Sequence, residues 1–180
     1  MSNQSKVILN SIQLDLTIKR LSFEIIENCK DFSDTVIIGM QPRGILLSQI
    51  IHGILEYNSK EKIKFGYLDT TFFRDDFRRK KGVILPSKTT IEFSLEAKKV
   101  ILIDDVLFTG RSIRSALDAL VSFGRPAAVD LLVLIDRRFS RELPIQPKYI
   151  GKSVDVIDNE YVVVDLGEKK NSVLLLNEKK

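Results

Sequence analysis

One cysteine and one histidine in 180 residues are too few for several kinds of protein. Cys29 cannot close an internal disulfide, and with no histidine or second cysteine beside it there is no thiolate metal site, so it reads as a small core residue. His52 falls mid-helix between Ile51 and Gly53 with no catalytic partner nearby, which favours a structural role. Long apolar runs are missing as well. The longest, such as Leu131 to Ile135, are far shorter than a bilayer span, and the opening MSNQSK lacks the apolar core of a signal peptide, so a cytoplasmic chain is expected. Two common phosphate motifs are also absent. Gly39-Met40-Gln41-Pro42-Arg43-Gly44 runs on into Ile45 rather than a Walker lysine, and there is no GxGxxG.

What remains is a balanced composition. Hydrophobic residues make up 44% and charged residues 29%, with both signs interspersed and no low-complexity block. The length suits one well-covered core, so residues 1–180 are read as a single domain. A net charge of +4 points to an anionic partner, a description that phosphorylated metabolites and RNA both satisfy.

Apolar residues at steps of three or four from Leu14 through Ile18, Leu21, Ile25 and Cys29 predict an amphipathic helix. Val36-Ile37-Ile38 reads as a buried strand, followed by a loop and a helix over 45–57. A strand is predicted over 63–73. Residues 74–88, crowded with charge and holding Gly82 and Pro86, read as a long mobile loop of functional length. Val100 to Ile103 is a continuous apolar run, as in a central parallel strand covered on both faces, and is predicted to stop at Asp104-Asp105. A helix then carries Ile113, Ala116, Leu117, Leu120 and Val121 on one face and ends at Gly124. Strands are predicted over 128–135, 161–164 and 173–176. The alternation implies a parallel α/β sheet, with ligands beyond the carboxyl ends of its strands.

The window VILIDDVLFTGRS, Val100 to Ser112, carries the chemistry. A helix N-terminus presents unpaired N–H groups and the positive end of a dipole, so the loop over 107–112 can wrap a 5′-phosphate. Thr109 and Ser112 would add hydroxyls there, and Gly110 allows close approach of the backbone. Asp104 and Asp105 are placed to accept hydrogen bonds from two ribose hydroxyls, directly or through a hydrated magnesium ion. A strand end and a helix cap account for either feature alone, but not readily for both in one window.

The window closely resembles the 5-phosphoribosyl-1-pyrophosphate (PRPP) signature of type I phosphoribosyltransferases. Enzymes of that superfamily acting on hypoxanthine or guanine usually carry an acid where this chain has Phe108, which disfavours a 6-oxopurine. Phe73-Arg74-Asp75-Asp76, Asp136-Arg137, Arg141-Glu142-Leu143-Pro144-Ile145 and Tyr149-Ile150-Gly151-Lys152 narrow the likeness. Over residues 6–166 the chain resembles the PyrR family, pyrimidine operon attenuators that also have uracil phosphoribosyltransferase activity.

The resemblance implies a type I phosphoribosyltransferase fold: a mostly parallel central sheet flanked by helices, with a small hood from the N- and C-terminal segments. It implies uracil and PRPP as substrates, UMP as product, Mg2+ as cofactor, and a homo-dimer or higher oligomer. Gln41, Pro42, Arg43 and Gly44 would form the pyrophosphate loop. Val106, Leu107, Phe108, Thr109, Gly110, Arg111 and Ser112 would hold the phosphate, and Asp104 and Asp105 the ribose and, through water, the metal. Arg74, Asp75 and Asp76 would belong to the closing loop, while Asp136 and Arg137 would lie near the base. Arg43, Arg74 and Arg111 would counter pyrophosphate. A messenger leader would meet Arg20 and Lys152. The chain departs from the family where relatives carry a histidine and an arginine on the first helix and it has Phe23 and Asn28. Its segment over 136–142 is one residue longer than usual and has no histidine. Enzyme therefore ranks ahead of specific RNA attenuator, with a PRPP sensor that does not turn over as a third alternative and another base still open.

Overall fold

The structure is a computed structural model describing residues 5–29, 31–73, 89–156, 160–167 and 171–177. The predicted loop over 74–88, with Arg74, Asp75, Asp76 and the basic run Arg78-Arg79-Lys80-Lys81, lies outside the described residues.

Strand β1 (Lys6–Leu9) leads into helix α1 (Ser11–Asn28). Asn10 starts that helix with a reciprocal cap: its side chain accepts from Gln13 N at 2.9 Å, and the Gln13 side chain accepts from Asn10 N at 3.0 Å. Then come β2 (Thr35–Met40), α2 (Gly44–Ser59) and β3 (Lys64–Leu68). They are followed by β4 (Lys99–Leu107), α3 (Arg111–Leu120) and β5 (Ala128–Arg138). The last elements are β6 (Tyr149–Asp155), β7 (Glu160–Leu166) and β8 (Asn171–Asn177).

Five strands pair in parallel in the order β3-β2-β4-β5-β6. Helices α1 and α2 bury Leu14, Leu21, Ile25, Leu47, Ile51 and Leu55 with Ile101, Ile103, Leu132 and Leu134 of the sheet. On the other face α3 buries Ile113, Ala116 and Leu120 with Val100, Leu102, Leu131 and Val133. The unbroken apolar runs of β4 and β5 follow from this double cover, since both side-chain directions end in a core. Separately, β1, β8 and β7 form a three-stranded antiparallel sheet, joined to the first core through Val162 and Val173.

Three expectations are corrected. The strand over 63–73 ends at Leu68, and Thr71–Phe73 form a 3-10 turn. β4 does not stop at the acids: its ladder with β5 continues through Asp104↔Val133 and Val106↔Ile135 to Leu107↔Asp136, because backbone pairing is indifferent to the side-chain charge. β1 and the parallel edge strand β6 are additional elements.

The chain enters the sheet at β2, turns to β3 on one side and crosses back to β4 on the other. The switch in strand order therefore lies between β2 and β4, and their carboxyl ends open onto one crevice.

Candidate active site

The first wall of the crevice is the turn from β2 into α2. The Gln41–Pro42 peptide is cis, Gln41 N donates to Leu68 O at 2.9 Å, and Arg43 caps α2 with helical backbone angles and no capping side-chain bond. Gly44 is required by proximity: a Cβ there would stand 2.6 Å from Ile103 O and 3.2 Å from Asp104 Cα. Only a glycine lets α2 begin directly on β4, and that seating sets Arg43 beside the two acids.

The acids form the floor. Asp104 Oδ1 accepts from Asp105 N at 2.9 Å, and Asp105 Oδ1 accepts from Val106 N at 2.7 Å. Burial, and then the Asp105 charge, push the Asp104 carboxyl well above the usual carboxylate range, with Arg43 pulling it back. Asp105 is also pushed up by burial, against the opposing pull of the Val106 amide and of Arg43. Two carboxylates held against one another in a partly dry crevice favour a cation between them and the solvent.

The strand then gives way to a short loop before α3. Gly110 caps α3 at φ 91°, a left-handed backbone that suits glycine, and no side chain caps the helix. Residues Val106 to Ile113, with Asp104, line a cavity of about 240 Å3 at this helix start. Its first-turn N–H groups have no intrahelical acceptor and point along the positive end of the helix dipole.

A larger cavity of about 480 Å3 joins these parts. Its walls come from Gln41, Pro42 and Arg43, from Asp104, Asp105 and Val106, from Phe108 and Ser112, and from Arg137, Thr70, Tyr161 and Val162. Arg137 lies with its guanidinium carbon 3.9 Å from the Phe108 ring centroid, and its Nη2 donates to Glu160 O at 3.3 Å. Its Nε is buried without a hydrogen-bond partner among the described residues.

The fold thus gathers the pyrophosphate-loop, ribose and phosphate candidates, with Arg137, around two adjoining cavities. Other candidates are engaged with protein partners. Asp136 is 9% exposed, is not part of either cavity wall, and accepts from Arg141 Nη2. Arg111 lines the smaller cavity while its Nε donates to Glu142 Oε2 at 2.6 Å. Arg20 donates to Ile150 O and Gly151 O at 2.9 and 2.7 Å, and Lys152 to Ile8 O at 3.1 Å, so both brace the β6 region. The sequence reading missed Thr70, Tyr161, Val162 and Arg141. Thr70 fell inside the strand predicted over 63–73, so its place past the true strand end at Leu68 carried no local signal.

The phosphoribosyl transferase domain family matches residues 5–171. The Bifunctional protein PyrR of Gloeothece citriformis (strain PCC 7424) is 42% identical, over 92% of this chain and 93% of its own. The Pyrimidine operon regulatory protein of Lactococcus lactis subsp. cremoris (strain MG1363) is 40% identical, over 96% and 98%. Among solved structures, a hypoxanthine phosphoribosyltransferase from Staphylococcus aureus superposes with a TM-score of 0.71 at 19% identity, covering 97% of this chain and 92% of that one. A hypoxanthine-guanine phosphoribosyltransferase from Bacillus anthracis gives 0.69 at 16%, covering 99% and 100%. These last two likenesses concern the fold alone. With the family matched over residues 5–171 and with relatives at 40–42% identity matched over nearly their whole length, the chain, whose acid pair, Arg43 turn and α3 N-terminus converge in one crevice, belongs to the phosphoribosyl transferase domain family and, within it, to the PyrR family.

Proposed function

We propose that the chain transfers the 5-phosphoribosyl group of PRPP to uracil, forming UMP and releasing pyrophosphate. The observation that carries this reading is the 480 Å3 cavity, in which the acid pair lies between the Arg43 turn, the phosphate loop and the Phe108–Arg137 stack. A ribose bound by Asp104 and Asp105 would send its 5′-phosphate to the α3 N-terminus and its pyrophosphate toward Arg43. Its anomeric carbon would then face the aromatic and guanidinium wall. The uracil N1 lone pair forms the new bond to that carbon as the bond to pyrophosphate oxygen breaks, and the N1 proton leaves to the departing pyrophosphate. Arg43 counters the departing charge, and the two carboxylates stabilise the cationic ribose between them. Phe108 offers a flat apolar surface to a pyrimidine.

Magnesium fits this donor set. Among the described residues no group of three or more His, Cys, Asp or Glu is placed to cage a metal, whereas two carboxylates next to a phosphate site are what an ion retaining most of its water requires. When bound, it would neutralise pyrophosphate charge; Asp104 and Asp105 would hold it through water.

The three-stranded sheet, which brings Tyr161 and Val162 to the cavity, is proposed as a hood within one domain. Exposed apolar side chains on α1 and α2, Leu16, Phe23, Ile50 and Tyr57 among them, support a homo-oligomer. No described helix is long and apolar enough to cross a membrane, and a cytoplasmic location is proposed.

A second reading, an RNA-binding regulator of pyrimidine genes, is favoured by the names of the relatives. The outward side of α1 speaks against base-specific grip: Phe23 is exposed, and Asn28 Nδ2 donates back to Glu24 O at 2.8 Å. The test is turnover of PRPP and Mg2+ with uracil, hypoxanthine, guanine and orotate in parallel. Uracil-only product supports the enzyme. UMP binding without any product, together with retention of a leader hairpin at moderate salt, supports the regulator.

A further inference from the structure

After β5 the chain runs as an irregular strap over 139–148 before β6. Phe139 opens it in a left-handed turn at φ 64°, and the strap then lies across the phosphate loop. Glu142 N and Leu143 N both donate to Thr109 O, at 3.0 and 3.2 Å. Arg141 Nη1 donates to Phe108 O, while its Nη2 donates to Asp136 at the end of β5. A Cβ on Gly110 would stand 3.1 Å from Ile145 Cγ1 and 3.5 Å from Leu143 Cβ.

Peptide planarity turns these bonds into a statement about donors. The carbonyl of Phe108 shares a trans plane with the N–H of Thr109, and that of Thr109 with the N–H of Gly110, so each N–H points opposite to its carbonyl. Both carbonyls are held toward the strap. The 240 Å3 cavity has Thr109 and Gly110 in its wall and no strap residue, so it lies on the other side of the loop. Fixing the carbonyls therefore presents two N–H groups to that cavity. The Arg141 side chain is 22% exposed and bridges two acceptors with a planar fork, one of them the charged Asp136, which makes it the strongest fastener of the strap.

We propose that Arg141 is a positioning residue for the 5′-phosphate: it clamps the Phe108 carbonyl so that the loop amides stay aimed at phosphate, and through Asp136 it ties that loop to the strand end carrying Arg137. The proposal deepens the phosphoribosyl-transfer reading and rests on it.

The experiment compares the affinity of the full chain for UMP and for uridine by titration calorimetry, since their ratio isolates the phosphate. In the wild type UMP binds more tightly. Arg141→Met is expected to shrink the ratio about tenfold or more, the scale of one lost charge-assisted hydrogen bond, with uridine affinity within about twofold of wild type. Arg141→Lys, whose single ammonium cannot span both acceptors, shrinks it by less. A ratio kept intact in Arg141→Met overturns the proposal, as does an equal loss for uridine. If Arg141→Met does not fold, an unchanged ratio in Arg141→Lys overturns it. A wild type that binds both equally removes the phosphate-loop reading itself, before any variant is made.

Discussion

Replacing Gly44 with alanine is the sharpest perturbation of the crevice. The new Cβ would meet Ile103 O at 2.6 Å, where ordinary contact begins near 3.4 Å, so α2 and β4 must part by roughly 0.8 Å. Ile103 is held in ladders with both Gly39 of β2 and Leu132 of β5, which leaves the helix start as the side that yields. Overpacking against backbone costs about 1–3 kcal/mol, and alanine's better helix propensity returns at most about 1 kcal/mol. In a domain of 180 residues each kcal/mol lowers Tm by about 2–4 °C. Catalysis should suffer more than stability, because Arg43 moves with the helix start and a displacement near 1 Å of a positioned group can reduce rate about 100-fold. The assay pairs thermal unfolding with steady-state turnover at varied PRPP. The expected result is a folded protein whose kcat/KM for PRPP falls about tenfold or more, with KM for uracil nearly unchanged. A G44A variant equal to wild type in both Tm and kcat/KM refutes the seating of α2 on β4 as the device that places Arg43.

Asp104→Asn should lower turnover about 100-fold or more while making the ligand-free chain more stable near neutral pH. Burial holds this carboxyl above its unfolded value, so the stability it lends is full below about pH 4 and is lost as pH rises through the folded value. The advantage of the asparagine should therefore grow with pH in Tm measurements from pH 4 to 8, and a gap independent of pH contradicts the assignment. Arg137→Met should raise KM for uracil about tenfold while changing KM for PRPP less than about twofold, since it removes one wall of the base site; equal rises would place Arg137 elsewhere. Tyr149 is fully buried and its hydroxyl has no partner among the described residues, so Tyr149→Phe should be neutral or stabilise by up to about 1 kcal/mol in chemical denaturation. A clear loss of stability would reveal a partner for that hydroxyl.

Where sequence was enough, the signal was local. Val100 to Ser112 spells out strand, acids, loop and helix in one stretch, and the two-sided burial of β4 is written in four consecutive apolar residues. β6 was hidden because an edge strand pairs on one side and exposes much of the rest: YIGKSVD has neither an apolar run nor a clean alternation. β1 spans four residues, too few for any period to declare itself. Side-chain direction was the least legible layer. Asp136 sits next to Arg137 in sequence, but the strand pleat sends one to the cavity and leaves the other to Arg141. The contact of Arg141 with Phe108 spans 33 positions, beyond the reach of any local pattern.

His52 carries one last consequence. Its Nε2 lies 2.9 Å from Ile63 O and its ring stacks on Phe65 with centroids 4.5 Å apart, so the chain's one imidazole is committed to joining α2 to β3. It is not part of either cavity wall. Among the described residues that line the two cavities the carboxylates are Asp104 and Asp105, so acid–base exchange with a bound ligand there falls to that pair rather than to an imidazole.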